Sequence, residues 1–193
     1  LSSKNGGAIY IAPGSQSSLL LEDSDPSIYI VESTFSNCQS SEKGGAVYAE
    51  LNTNMKIESS SFTGTKCGTG NGGVIYVDLK GKLTLMNIAV ENEKQNGKTA
   101  IYATGGNSNG LLEIEGGCFK STTNRLPSDN TPLYIYFDAQ GDVQFSDYSC
   151  FSGTKQESIN LNGKDVFLED NMFSCSSCRI GLLPSRTPCP TRS

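Results

Sequence analysis

The sequence predicts an all-β fold: a right-handed single-stranded parallel β-helix, a solenoid of about six coils over residues 1–173, followed by a Cys/Pro-rich cap or linker over 174–193. Three observations predict it. A Gly-Gly-apolar-apolar-Tyr motif recurs as Gly6-Gly7-Ala8-Ile9-Tyr10, Gly44-Gly45-Ala46-Val47-Tyr48 and Gly72-Gly73-Val74-Ile75-Tyr76, with a looser copy at Thr99-Ala100-Ile101-Tyr102. An apolar anchor followed five positions later by Phe, Val or Cys recurs as Ile30/Phe35, Ile57/Phe62, Leu85/Val90, Ile114/Phe119, Phe145/Cys150 and Leu168/Phe173, with anchors 23 to 31 residues apart. Near-fixed periods of this size are the mark of stacked repeats. Finally, apolar residues alternate with a period of two, and no helical period is found.

Each coil carries a first strand entered through the Gly pair. Alternation places Ile9/Ile11, Val47/Ala49/Leu51, Ile75/Val77/Leu79, Ile101/Ala103 and Ile135/Phe137 on an inward face, with the neighbouring Ala8, Ala46, Val74 and Ala100 outward beside the tyrosines. A second strand follows, with inward pairs Ile28/Ile30, Met55/Ile57, Leu83/Leu85, Leu112/Ile114, Val143/Phe145 and Val166/Leu168. The Phe position (Phe35, Phe62, Val90, Phe119, Cys150, Phe173) supplies a third inward patch. Two residues beyond it, Asn37, Gly64 and Asn92 suit a left-handed bend. Residues 13–27, 104–110 and 121–132 read as surface loops. Stacking pairs backbone groups at about 4.8 Å per coil and sets like side chains in ladders.

Composition narrows the function classes. Only 36% of the 193 residues are hydrophobic, which a solenoid with thin inward stripes tolerates. A net charge of −5 argues against nucleic acid and against an anionic membrane surface. No apolar run approaches the roughly 20 residues of a membrane span. A start at Leu1 without a leader suggests a mature or trimmed product. Seven cysteines with no His point to an oxidising, extracellular or cell-surface location. No Asn-x-Ser/Thr acceptor for N-glycosylation is present.

The Gly-Gly-Ala-[Ile/Val]-Tyr motif, preceded by Phe35-Ser36-Asn37, resembles the repeats of polymorphic outer-membrane proteins, β-helical passengers built on GGA-[ILV] and F-x-x-N. It is similar as well to Cys-bearing versions in secreted or surface proteins of protists. The resemblance spans about residues 5–173. Cys38 stands where F-x-x-N has Asn, and Thr65 in the next copy. It implies a β-helix used for surface display, adhesion or matrix assembly.

Candidate sites are few. Tyr10, Tyr48, Tyr76, Tyr102 and Tyr136 recur at one phase and predict an outward aromatic stripe flanked by Glu50, Asp78 and Asp138, able to contact sugar rings, a loop or a partner. Coil spacing favours disulfides Cys38–Cys67 and Cys118–Cys150, leaving Cys175, Cys178 and Cys189 in the tail, where at least one lacks an intrachain partner. The tail cysteines have no fourth ligand nearby for zinc. Glu22, Asp23 and Asp25 read as a solvated acidic loop rather than a calcium site, as do Asp165, Glu169 and Asp170. Glu113 and Glu115 have no opposing carboxylate, and arginines at 125, 179, 186 and 192 lie outside the ladders, so catalysis is not expected. No cofactor or metal is expected.

The lead reading is therefore a non-catalytic extracellular structural β-helix whose partners are other copies of itself, end to end. The start at residues 1–5 matches the phase of residues 39–43, near where the pattern ends at Phe173. The alternatives are an adhesive or carbohydrate-binding module and, a distant third, a polysaccharide-active enzyme.

Overall fold

The structure, a computed structural model, describes residues 3–12, 28–51, 54–92, 99–106, 109–121, 132–145, 149–164, 166 and 168–173. In chain order its strands are β1 (Ser3–Asn5), β2 (Ile9–Ile11), β3 (Ile28–Val31), β4 (Thr34–Ser36), β5 (Gln39–Lys43), β6 (Val47–Leu51), β7 (Met55–Glu58) and β8 (Ser61–Cys67). There follow β9 (Ile75–Leu79), β10 (Lys82–Asn92), β11 (Ile101–Gly106), β12 (Leu111–Ser121), β13 (Ile135–Ala139), β14 (Asp142–Phe145) and β15 (Ser149–Phe151). A single-turn helix α1 (Lys155–Ser158), β16 (Ile159–Asn160) and a 3-10 turn (Asp170–Met172) complete the described elements.

All strand pairings are parallel, and the chain is a β-solenoid. One sheet of six strands runs β16-β13-β11-β9-β6-β2, so strands from successive passes of the chain lie side by side. A second sheet of ten strands gathers the remainder along the path β1-β5-β8-β10-β12-β14. Like residues meet in register: Val47 opposes Ile75 and Ile75 opposes Ile101, while Ile57 opposes Leu85 and Leu85 opposes Ile114. These aliphatic ladders and the Phe position form one buried core between the sheets.

The Gly pairs turn the chain into the first sheet. Gly44 has φ +64°, and its neighbour Gly45 sits where a Cβ would stand 2.0 Å from the Gly73 carbonyl oxygen. Backbone bonds continue through the turn, Gly45 N–H donating to Gly72 O (3.1 Å) and Ala46 N–H to Val74 O (2.9 Å). Adjacent passes are thus knitted at the corners as well as along the strands.

Some expectations need correction. Asn37 and Gly64 are left-handed as expected, but Asn92 is not; it continues β10 and aligns with Thr65 across a register shift. A further left-handed bend, not expected, precedes the Phe position: Glu32, Ser59, Asn87 and Gly116 all have positive φ, each two residues past its apolar anchor. The Phe ladder runs Phe35, Phe62, Val90, Phe119, Phe151 and then bridges to Phe173, so Phe151 and not Cys150 fills the fifth place. The spacing from Phe145 is one residue longer there, so Cys150 leaves the Phe ladder and lies buried opposite Cys118. Ala46, Val74 and Ala100 are fully buried members of the core rather than outward neighbours of the tyrosines, because the Gly turn points the residue entering each strand inward. Tyr134 occupies the same place one pass later and is buried too.

Elsewhere, residues 104–106 belong to β11 and not to a loop, and Val166 and Leu168 lie outside any strand, though Leu168 is buried. Most of the expected loops at 13–27 and 121–132, the tail 174–193 with its cysteines, Glu22, Asp23, Asp25 and Asp165 lie outside the described residues.

Candidate functional site

The six-stranded sheet positions the tyrosines. Its register aligns Tyr10 with Tyr48, Tyr48 with Tyr76, Tyr76 with Tyr102 and Tyr102 with Tyr136, one ring per strand. Strand alternation turns all five away from the core. Their rings stack in one column, with centroids 5.2, 5.2, 5.6 and 4.8 Å apart along the series and planes within 9° of parallel.

Stacking changes what this face offers. A ring within the column has both faces against neighbouring rings, so it shows solvent only its edge. Tyr48 and Tyr76 are accordingly 8% exposed, whereas Tyr10, with one ring neighbour among the described residues, is 55% exposed. The expected flat platform for sugar rings is therefore an edge-on column in which most faces are already occupied. Stacked pairs of this kind add about 0.5–1.5 kcal/mol each beyond burial, so the column also stabilises the sheet that builds it.

An acidic flank runs beside the rings two residues further along each strand: Glu50 aligns with Asp78, Asp78 with Thr104, and Thr104 with Asp138. The Tyr48 hydroxyl donates to Glu50 Oε1 at 2.7 Å. Burial first, and then this bond to a carboxylate, push the Tyr48 phenol well above its ordinary pKa. Tyr102 is raised as well, mainly by burial, with Tyr136 and Asp138 adding to the effect and a hydrogen bond with Asn71 opposing it. The Asp138 carboxylate accepts from Asn162 Nδ2 at 2.7 Å.

The opposite flank was not anticipated from the sequence. Lys43 Nζ lies 4.4 Å above the Tyr76 ring centroid and donates to the Tyr76 hydroxyl at 3.2 Å. Asn71 bonds Tyr102 in the corresponding place. Both residues immediately precede a Gly pair, and each reaches the tyrosine of the following pass. The signal was legible in the repeat itself, as Asn5-Gly6, Lys43-Gly44 and Asn71-Gly72.

The cysteines divide into two cases. The expected Cys38–Cys67 bond is not formed; the two remain separate thiols. Register gives the reason: Cys67 opposes Ser40, two residues beyond Cys38. One strand spacing across and two residues along amounts to about 8 Å between Cα atoms, beyond the reach of a disulfide. Cys67 is buried with its Sγ directed at Gly70 O (3.4 Å), and burial raises the Cys38 thiol pKa. Cys118 and Cys150, by contrast, oppose each other in register between β12 and β15, and neither is among the free thiols.

Remaining candidates resolve into ordinary surface chemistry. Glu113 accepts from Thr84 Oγ1 (3.0 Å) and pairs with Lys82 Nζ (2.9 Å), which leaves it held by neighbours on its own sheet. Glu169 and Asp170 stand at the start of the 3-10 turn. Among the described residues, no group of three or more His, Cys, Asp or Glu side chains could hold a metal ion, and no helix is long and apolar enough to cross a membrane.

No family model, curated protein or solved structure significantly matches the chain.

Proposed function

We propose that this chain is a non-catalytic structural element of an extracellular surface or matrix, a right-handed β-helix of about six coils that joins copies of itself end to end. The gradient of burial along the core carries this reading. In the middle of the solenoid Val47, Ile57, Phe62, Leu85 and Ile101 have no exposure, while towards the first strands Ile30 and Phe35 rise to 7% and 8% and Ile9, Ile11 and Ile28 are only partly buried. At the same end lie Tyr10, Tyr29 and Val31, the exposed large apolar side chains among the described residues, at 55%, 54% and 45%. Here β2 is also the edge of the six-stranded sheet, with one side unpaired among the described residues. Open strand edges beside apolar surface pair readily with another chain, and a contact between unlike ends repeats without closing.

A Cys118–Cys150 disulfide across adjacent rungs belongs to this reading, since it staples the stack in the oxidising setting expected for a surface protein. The adhesive, glycan-binding alternative draws less support, because the column spends its ring faces on itself.

The test is a concentration series by sedimentation and electron microscopy on the 193-residue chain and on Val31→Lys. The expected result is end-joined particles repeating at about the length of the solenoid, reduced by the added charge while circular dichroism stays unchanged. A chain that remains monomeric at high concentration would overturn the reading.

A further inference from the structure

The column contains a chemistry that assembly does not use. Phenols are the most readily oxidised groups this chain offers besides its thiols, and five of them are stacked in direct contact. A phenol loses an electron easily only if its proton can leave at the same moment, because the radical cation is a very strong acid. Tyr48 meets that condition: its hydroxyl points at Glu50 Oε1, 2.7 Å away, and the proton has only to cross that bond. Lys43 sets the direction. Its ammonium, 4.4 Å above the Tyr76 ring, disfavours positive charge there, so oxidising equivalents settle on the Tyr48 side. Next to Tyr48, at 5.2 Å, stands Tyr10, whose ring is 55% exposed.

We infer that Tyr10 is an oxidative cross-linking site, fed through the proton-coupled Tyr48–Glu50 pair, at which two copies of the chain join as dityrosine. The co-reactant is a peroxide activated by a haem peroxidase. It takes one electron from each of two columns. Tyr48 passes its proton to Glu50 as it is oxidised. When an electron from Tyr10 refills Tyr48, Glu50 returns that proton and Tyr10 releases its own to water. The two Tyr10 radicals join through their ortho carbons. The hydrogens on those carbons then shift to the oxygens, restoring both aromatic rings. Two electrons and two protons reduce one peroxide to two waters. The bond unites like ends, so it gives discrete covalent dimers. End-to-end stacking joins unlike ends, and the two proposals therefore stand or fall separately.

Tyr29 supplies an internal control. It is 54% exposed, nearly the same as Tyr10, but lies on β3 outside the column. The experiment treats the whole chain with peroxidase and limiting hydrogen peroxide, then maps cross-linked peptides by mass spectrometry and follows dityrosine fluorescence. The expected result is several-fold more Tyr10 than Tyr29 in the cross-links. Tyr10→Phe should remove most of the dimer, and Glu50→Gln should lower Tyr10 coupling several-fold without changing Tyr29. Equal yields at the two tyrosines, or no cross-linking at either, would overturn the inference in the unmodified chain, whatever happens to the variants. A Glu50→Gln chain that couples Tyr10 normally would overturn the role of Tyr48 and Glu50.

Discussion

Replacing Gly45 by alanine tests the packing of the corners most directly. The added Cβ would stand 2.0 Å from Gly73 O and 2.7 Å from the Lys66 N and C atoms, where 3.4 Å is ordinary contact. All three obstacles are backbone, so no side chain can rotate away, and adjacent passes must separate by more than an ångström. That displacement breaks the bond from Gly45 to Gly72 and weakens the bond from Ala46 to Val74. A buried donor left without a partner costs about 1–3 kcal/mol, and overpacking adds about 1–3 kcal/mol. The expected loss is about 4 kcal/mol, a large share of the roughly 5–15 kcal/mol typical of a folded domain. Gly106→Ala is the matched control. Its φ is +53°, yet nothing lies within 4 Å of the new atom, so only the left-handed backbone is penalised, by about 1–2 kcal/mol. Urea unfolding followed by circular dichroism reads the difference. The slope should be compared as well as the midpoint, because a solenoid can lose passes locally. Equal midpoints for the two variants would refute the reasoning.

Other expectations follow from the same geometry. Ile57→Asp or Ile114→Asp places an unpaired charge at a position with no exposure, and neither should yield a cooperative melting curve by circular dichroism. Among the thiols, Cys38 should react with a maleimide in the native state and Cys67 only on unfolding, as mass mapping would report. If Cys118 and Cys150 are bonded to each other, Cys150→Ser should lower stability in urea by up to about 3–4 kcal/mol, the value for closing a loop of about 30 residues. Alkali should also unfold the chain. The Tyr134 phenol is pushed up to about 12, chiefly by burial, and Tyr48 and Tyr102 are raised too, so the folded state holds these protons more tightly than the unfolded state does. Their contribution to stability is whole below the ordinary phenol value of about 10 and is lost as pH rises from there through the folded values. Phenolate absorbance should show the three titrating together with loss of the circular dichroism signal, and separate titration of Tyr134 in a chain still folded would contradict this.

Much of the architecture was legible because the period-two pattern and the repeat coincide. Residues on one face of a strand must all be apolar or all be tolerant of solvent, so Ile57, Leu85 and Ile114 announce both their face and their rung. The tyrosine phase was legible for the same reason. The left-handed bend at Glu32 and Ser59 was not, because those residues carry no local sign of that geometry. Both are held there by the ladder: Glu32 N–H donates to Glu58 O and Ser59 N–H to Met86 O, bonds that each pass offers the next. Tertiary pairing outweighs the cost of a positive φ, and no single-residue propensity records it. The Cys38–Cys67 error has a related origin. Counting from an anchor measures distance along the chain, but the bends between anchor and cysteine, including left-handed Asn37 and Gly64, decide which residues finally oppose.

The same register explains why the face most visible in the sequence is not the platform it suggested. A ladder of identical rings at strand spacing is driven to stack, because the distance between strands of about 4.8 Å is close to the offset-stacking distance of aromatic rings. Stacking removes ring faces from solvent in proportion to the length of the column. The regularity that makes the stripe legible therefore closes it to flat ligands and leaves reactivity at its exposed ring, Tyr10. Chemistry along the interior must come from residues that break the regularity. Here these are Lys43, which stands over Tyr76, and Glu50, which accepts from Tyr48, whereas Thr104 interrupts the acidic flank beside Tyr102. The column is uniform in shape and uneven in charge, and the unevenness assigns Tyr10 and Tyr48 a role that Tyr102 and Tyr136 do not share.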